Sequence, residues 1–81
     1  MEATSDTLRQ TAGFVVEDAG GRVGIVDSLH SSTRSGIPDF LVVRAGRLSR
    51  RRMLIGVDDI REILPQQKRI RLQGTWMTIR V

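Results

Sequence analysis

Turn-forming residues cut the stretch from Gly13 to Leu72 into apolar pieces of five to eight residues. The breaks fall at Gly20-Gly21, Gly36-Ile37-Pro38, Ala45-Gly46 and Leu64-Pro65. No piece is long enough for a helix that could carry a fold, whereas five to eight residues is the usual length of a strand. Short strands spaced by turns in a small chain predict an all-β domain that closes into a barrel. Such a barrel fills its inside with side chains and leaves its outer surface for work.

The residue pattern places the strands. Phe14 to Asp18 and Arg22 to Leu29 read as a hairpin joined through Asp18-Ala19-Gly20-Gly21, because glycine supplies the positive φ of a tight turn. Alternation along the second strand puts Val23, Ile25, Asp27 and Leu29 on one face and Gly24, Val26 and Ser28 on the other. His30 to Gly36 is a polar loop. Asp39 to Arg44 follows, with Phe40-Leu41-Val42-Val43 apolar on both faces, which predicts the most buried strand. Met53 to Val57 is the next. Asp58 to Leu64 reads as one short helical or 3₁₀ turn, capped by Asp58, stopped by Pro65, and plugging a barrel end with Ile60 and Ile63. Lys68 to Gln73 alternates, with Ile70 and Leu72 inward. Thr75 to Val81 is a last strand. Residues 1–12 are polar and predict a flexible N-terminal arm with at most one helical turn after Ser5 or Asp6, leaving residues 13–81 as a single domain.

Several of these pieces fall in a familiar order. Gly20-Gly21-Arg22-Val23-Gly24-Ile25-Val26-Asp27 is followed by Asp39-Phe40-Leu41-Val42-Val43, Ala45-Gly46, Leu54-Ile55-Gly56-Val57-Asp58-Asp59-Ile60, Ile63 and Ile70-Arg71-Leu72. Across residues 13–73 the chain resembles the PRC-barrel family, known from the photosynthetic reaction centre H subunit and a ribosome maturation factor. Gly56 stands where that family often has proline. The resemblance implies a small antiparallel PRC-type β-barrel of six or seven short strands with one short helical turn. It also implies a protein that works by contact, in settings that include RNA processing and ribosome assembly, and not an enzyme.

Charge is unevenly spread. Residues 1–39 hold three arginines against six acids, and residues 40–81 hold ten cations against three acids, so the halves carry −3 and +7. Arg44, Arg47, Arg50, Arg51 and Arg52 put five cations in nine residues, and Lys68, Arg69 and Arg71 extend the basic half. These eight are the candidate residues for binding an anion or an acidic partner, since guanidinium pairs bidentately with carboxylates and phosphates. The same charges also serve to keep an edge strand from aggregating. Lys68, Arg69 and Arg71 either join the arginine hairpin or pair with Asp58, Asp59 and Glu62.

Catalytic chemistry has little to stand on. Cysteine is absent and His30 is the only histidine. Ser28, Ser31 and Ser32 lie near it, but adjacency in a loop does not make a nucleophile and its base. No metal-ligand spacing occurs. Asp27, on the apolar face, is expected to accept backbone N–H groups at a strand end. The expectation is therefore a non-enzymatic protein-interaction or assembly module with no cofactor and no metal. The alternative is a ribosome- or RNA-associated factor meeting phosphates through the Arg47–Arg52 hairpin. Few aromatic residues are present to stack bases: Phe14 and Phe40, expected in the core, and Trp76. Trp76, Met77 and Ile79 form an apolar edge suited to self-association, as a dimer. No leader-like or long apolar run occurs, so the expected location is cytoplasmic, without an integral membrane segment.

Overall fold

The computed structural model describes residues 5–46, 50–74, 76 and 78–80. Seven strands form one sheet: β1 (Val15–Asp18), β2 (Gly21–His30), β3 (Phe40–Arg44), β4 (Arg52–Gly56), β5 (Ile60–Leu64), β6 (Arg69–Leu72) and β7 (Thr78–Arg80). One helix, α1 (Ser5–Arg9), precedes them, and 3₁₀ turns occupy Val57–Asp59 and Pro65–Gln67. Among these residues no helix is long and apolar enough to cross a membrane.

The first hairpin forms where the glycines predict it. Asp18 stands opposite Gly21, which has φ +125°, and Asp18 Oδ1 accepts the Gly20 N–H at 2.8 Å. The ladder order is β5-β6-β1-β2-β3-β4-β7. Every neighbouring pair is antiparallel except β1 and β6, which run parallel, a departure from the all-antiparallel expectation. Parallel neighbours need a long crossover. Here β2 to β5 supply it, so the pairing is invisible to hairpin logic.

One face of the sheet is dry. Val16, Val26, Leu41, Val43, Ile55 and Ile70 are fully buried, and Ile60, Ile63 and Leu72 nearly so, all in one cluster with Phe14 and Leu8. The sheet must curl for residues of β4 and β5 to share that cluster, because in a flat sheet five strand spacings of about 4.8 Å would separate them. Among the described residues no ladder joins β5 to β7.

Three β-bulges set which side chains turn inward. In β2 the register slips at Val23 and again at Asp27, and in β5 at Arg61. Each bulge inserts one unpaired residue and shifts the two-residue alternation by one. Ile60 and Ile63 thus both face the core although they are three apart. That spacing imitates a helix, and it accounts for the expected helical turn over 58–64. Only Val57–Asp59 is helical, and Gly56, not Asp58, caps it. Ile60–Leu64 is a strand.

The N-terminal segment also departs from expectation. The helical turn after Ser5 forms, but Leu8 lies in the core and the Thr11 hydroxyl, fully buried, donates to the Leu8 carbonyl at 2.6 Å. From α1 onward this segment packs against the sheet; it is not a free arm. On β3, Leu41 and Val43 are buried while Phe40, Val42 and Arg44 are half-buried, so this strand is covered fully on one face only. Phe40 therefore belongs to the outer face, not to the core.

Candidate functional site

The outer face carries two ionic clusters, and strand register builds both. Glu62, Arg71, Glu17 and Arg22 stand in one row across β5, β6, β1 and β2. Arg71 Nε lies 3.1 Å from Glu17 Oε1 and its Nη1 lies 3.0 Å from Glu62 Oε1. Arg69 Nη1 reaches Glu17 Oε2 at 3.4 Å. Glu17, and next Glu62, push the Arg71 pKa further up. The four ion-paired side chains, two acids and two arginines, balance one another, and Arg22 adds one cation at the end of the row.

In the second cluster the ion-paired arginines themselves outnumber their acid. Arg44 of β3 and Arg52 of β4 are direct cross-strand partners, a like-charged pair that is destabilising by itself. Asp27, thrown outward by its bulge, sits against both. Its Oδ2 accepts Arg52 Nε at 2.9 Å, and its Oδ1 lies 3.2 Å from Arg44 Nε. The Arg44 contact is within ion-pairing distance but off the hydrogen-bond direction, and that buried nitrogen has no better acceptor among the described residues. The Arg52 hydrogen bond, followed by the charges of Arg52 and Arg44, holds the Asp27 carboxyl below its ordinary value against the opposing effect of burial. One carboxylate for two guanidiniums leaves a net +1. Arg50 and Arg51 are exposed immediately beyond on the chain.

This is a correction for Asp27. Alternation placed it inward among apolar neighbours with turn N–H donors. The bulge turns it to the outer face, where its partners are two arginines. The expected basic residues also fall into separate groups. Arg69, Val15, Ile25, Arg44 and Arg52 share a row, but the half-buried Val15 and Ile25 stand between the arginines of β6 and those of β3. Lys68 is exposed at φ +53° after the Pro65–Gln67 turn. Arg47 lies outside the described residues.

Of the apolar edge, Met77 lies outside the described residues and Ile79 pairs with Leu54 through β7. Trp76 is half-buried against the chain's own core, and its indole N–H donates to Asp18 Oδ2 at 2.8 Å. That bond, with the Gly20 N–H, lowers the Asp18 pKa.

The loop between β2 and β3 is held by its own side chains. Ser31 Oγ donates to the Ile37 carbonyl at 2.9 Å, and both the backbone N–H and the hydroxyl of Ser32 bond to Asp39. The Ser32 hydroxyl is the chief cause of a lowered Asp39 pKa. His30 is exposed, with its ring centroid 6.3 Å from that of Phe40. A recess of about 300 Å³ beside Leu64, Pro65, Gln66 and Gln67 has no ionisable side chain in its lining. No group of three or more His, Cys, Asp or Glu side chains that could hold a metal is gathered among the described residues.

The sequence shows the arginines and offers Glu62 as a partner of Arg71, which the structure bears out, but it does not point to Asp27 or Glu17 as partners. Asp27 is separated from Arg52 by 25 positions and Glu17 from Arg71 by 54. One signal was available: Val26 and Leu29, both apolar and three apart on a strand, mark a bulge at the acid between them.

A scan against protein-family models, a search of curated proteins and a search of solved structures each find no match to this chain.

Proposed function

We propose that this chain is a non-enzymatic protein-interaction or assembly module of PRC-barrel type, contacting an acidic partner through the outer face of β3 and β4. The observation that carries this reading is the excess of positive charge around Asp27. Arg44 and Arg52 outnumber their one carboxylate, and the exposed Arg50 lies beside them in the chain, whereas Arg69 and Arg71 are matched by Glu17 and Glu62. The curled seven-strand sheet with an aliphatic inside is the architecture that a contact module of that family would use.

The test is capture from native extract on immobilised protein, comparing the parent chain with an Arg50→Glu/Arg51→Glu variant. Arg44 and Arg52 are left intact so that Asp27 keeps its partners. Loss of a specific captured protein in the variant, with an unchanged far-UV spectrum, is the expected result. Identical capture by both proteins would overturn the proposal.

A further inference from the structure

We propose that Arg44 and Arg52 form a pre-set fork that takes a carboxylate from an acidic protein segment lying along β4. Asp27 acts as the positioning residue that holds the two guanidiniums side by side. This rests on the preceding reading of the β3–β4 face as a protein-contact surface, and it names the chemistry of the partner.

The geometry supports a fork more than a diffuse basic patch. Two arginines facing each other across a ladder would ordinarily swing apart. Asp27 lies on the Nε side of both, hydrogen-bonded to Arg52 at 2.9 Å and ion-paired with Arg44 at 3.2 Å, and so restrains both. A guanidinium has five donors. Arg52 Nε donates to Asp27, Arg44 Nε lies at ion-pairing distance from it without a hydrogen bond, and Arg52 Nη1 also approaches the Arg50 carbonyl at 3.4 Å. The remaining Nη donors have capacity for a second acceptor. The side chains are reachable, 29% exposed for Arg44 and 44% for Arg52. Because Asp27 already restrains both side chains, a ligand loses less conformational entropy in ordering them.

The surroundings choose the ligand. Two residues along each strand, on the same face, lie Val42 and Leu54, themselves cross-strand partners and both half-buried. The face therefore offers a row of cations and, about 7 Å further on, an aliphatic row. An extended segment with an acid at one position and an aliphatic residue two positions later matches both rows. A nucleic-acid strand matches less well. It needs cations that follow successive phosphates and aromatic rings for its bases. Arg69 and Arg71 are neutralised by acids, a carboxylate sits in the middle of the arginine pair, and Trp76 is tied to Asp18.

Fluorescence anisotropy tests this with three labelled probes: a peptide of alternating Glu and Val, a peptide of alternating Glu and Ser, and a single-stranded RNA of about equal charge. The parent chain is expected to bind the Glu/Val peptide most tightly. Arg44→Gln and Arg52→Gln are each expected to weaken it about tenfold, and Arg52→Lys, which keeps the charge but not the planar donors, several-fold. Arg22→Gln, in the other row opposite Glu17, is expected to change it less than about twofold. Tighter binding of the RNA, equal binding of the two peptides, equal losses in Arg22→Gln and Arg52→Gln, or no peptide binding at low salt would each overturn the fork. Protein capture that depends on Arg50 and Arg51 would survive that result, so failure of the fork and failure of the wider contact reading are separable.

Discussion

Gly24→Ala is the sharpest probe of the sheet. A Cβ added at Gly24 would lie 2.2 Å from the Arg44 carbonyl oxygen, 2.8 Å from Val43 Cγ1 and 3.0 Å from the Arg44 carbonyl carbon. In a regular ladder a Cβ stands off the sheet and meets no neighbouring backbone. The close approach marks Gly24 as the corner where β2 bends between its two bulges and leans on β3. Ordinary contact requires the Arg44 carbonyl to retreat by about 1.2 Å, and backbone cannot swing aside as a side-chain tip can. A retreat of that size breaks about two ladder hydrogen bonds, each worth about 1 kcal/mol net, and adds overpacking strain of about 1–3 kcal/mol. The expected loss is about 3–5 kcal/mol, from a total of about 4–12 kcal/mol for a chain of this length. That corresponds to a fall in melting temperature of more than about 10 °C. Thermal melts followed by circular dichroism measure it, with Gly46→Ala as control because a Cβ there meets nothing within 4 Å. If the Gly24→Ala and Gly46→Ala melts coincide within about 2 °C, the corner does not exist and the reasoning fails.

Two further expectations concern local structure. Lys68 is the one non-glycine residue of positive φ among those described, and Lys68→Gly should stabilise the fold by about 0.5–1 kcal/mol, read as a higher urea midpoint; a lower midpoint would contradict the left-handed turn. Asp18, Asp27 and Asp39 all have carboxyl pKa values held below the usual 3.8, so their stabilising contribution is complete above that pH and is lost as the pH falls through the lowered values. Trp76 is the only tryptophan, so its emission should stay constant from neutral pH to about 4 and shift red below it, with a smaller shift in Asp18→Asn. A transition centred between pH 5 and 7 would refute that account.

Much of the architecture follows from local chemistry. The two-residue turn at Ala19-Gly20 closes where glycine permits it, and Leu41, Val43, Ile55, Ile70 and Leu72 face inward on strands that alternation could locate. The cluster of arginines between positions 44 and 52 is likewise plain from composition alone. Errors arose at the bulges. The helical turn expected over Asp58–Leu64 gives way from Ile60 on to a strand whose extra residue, Arg61, brings Ile60 and Ile63 to the same side. Asp27 faces out for the same cause.

Chain order and residue type determined that this protein would be built of short strands with an aliphatic inside and a basic second half. Glu62 meets Arg71 within the β5–β6 hairpin, but the parts of Glu17 and Asp27 were decided only when β6 came to lie parallel to β1 and β3 beside β2. A bulge is a property of two strands in register, and an ion pair across tens of positions is a property of the folded surface. A bulge shows on a single strand only as a break in alternation that a helix can imitate, and the ion pair leaves no mark there, so the fork of Arg44 and Arg52 over Asp27 exists only in three dimensions.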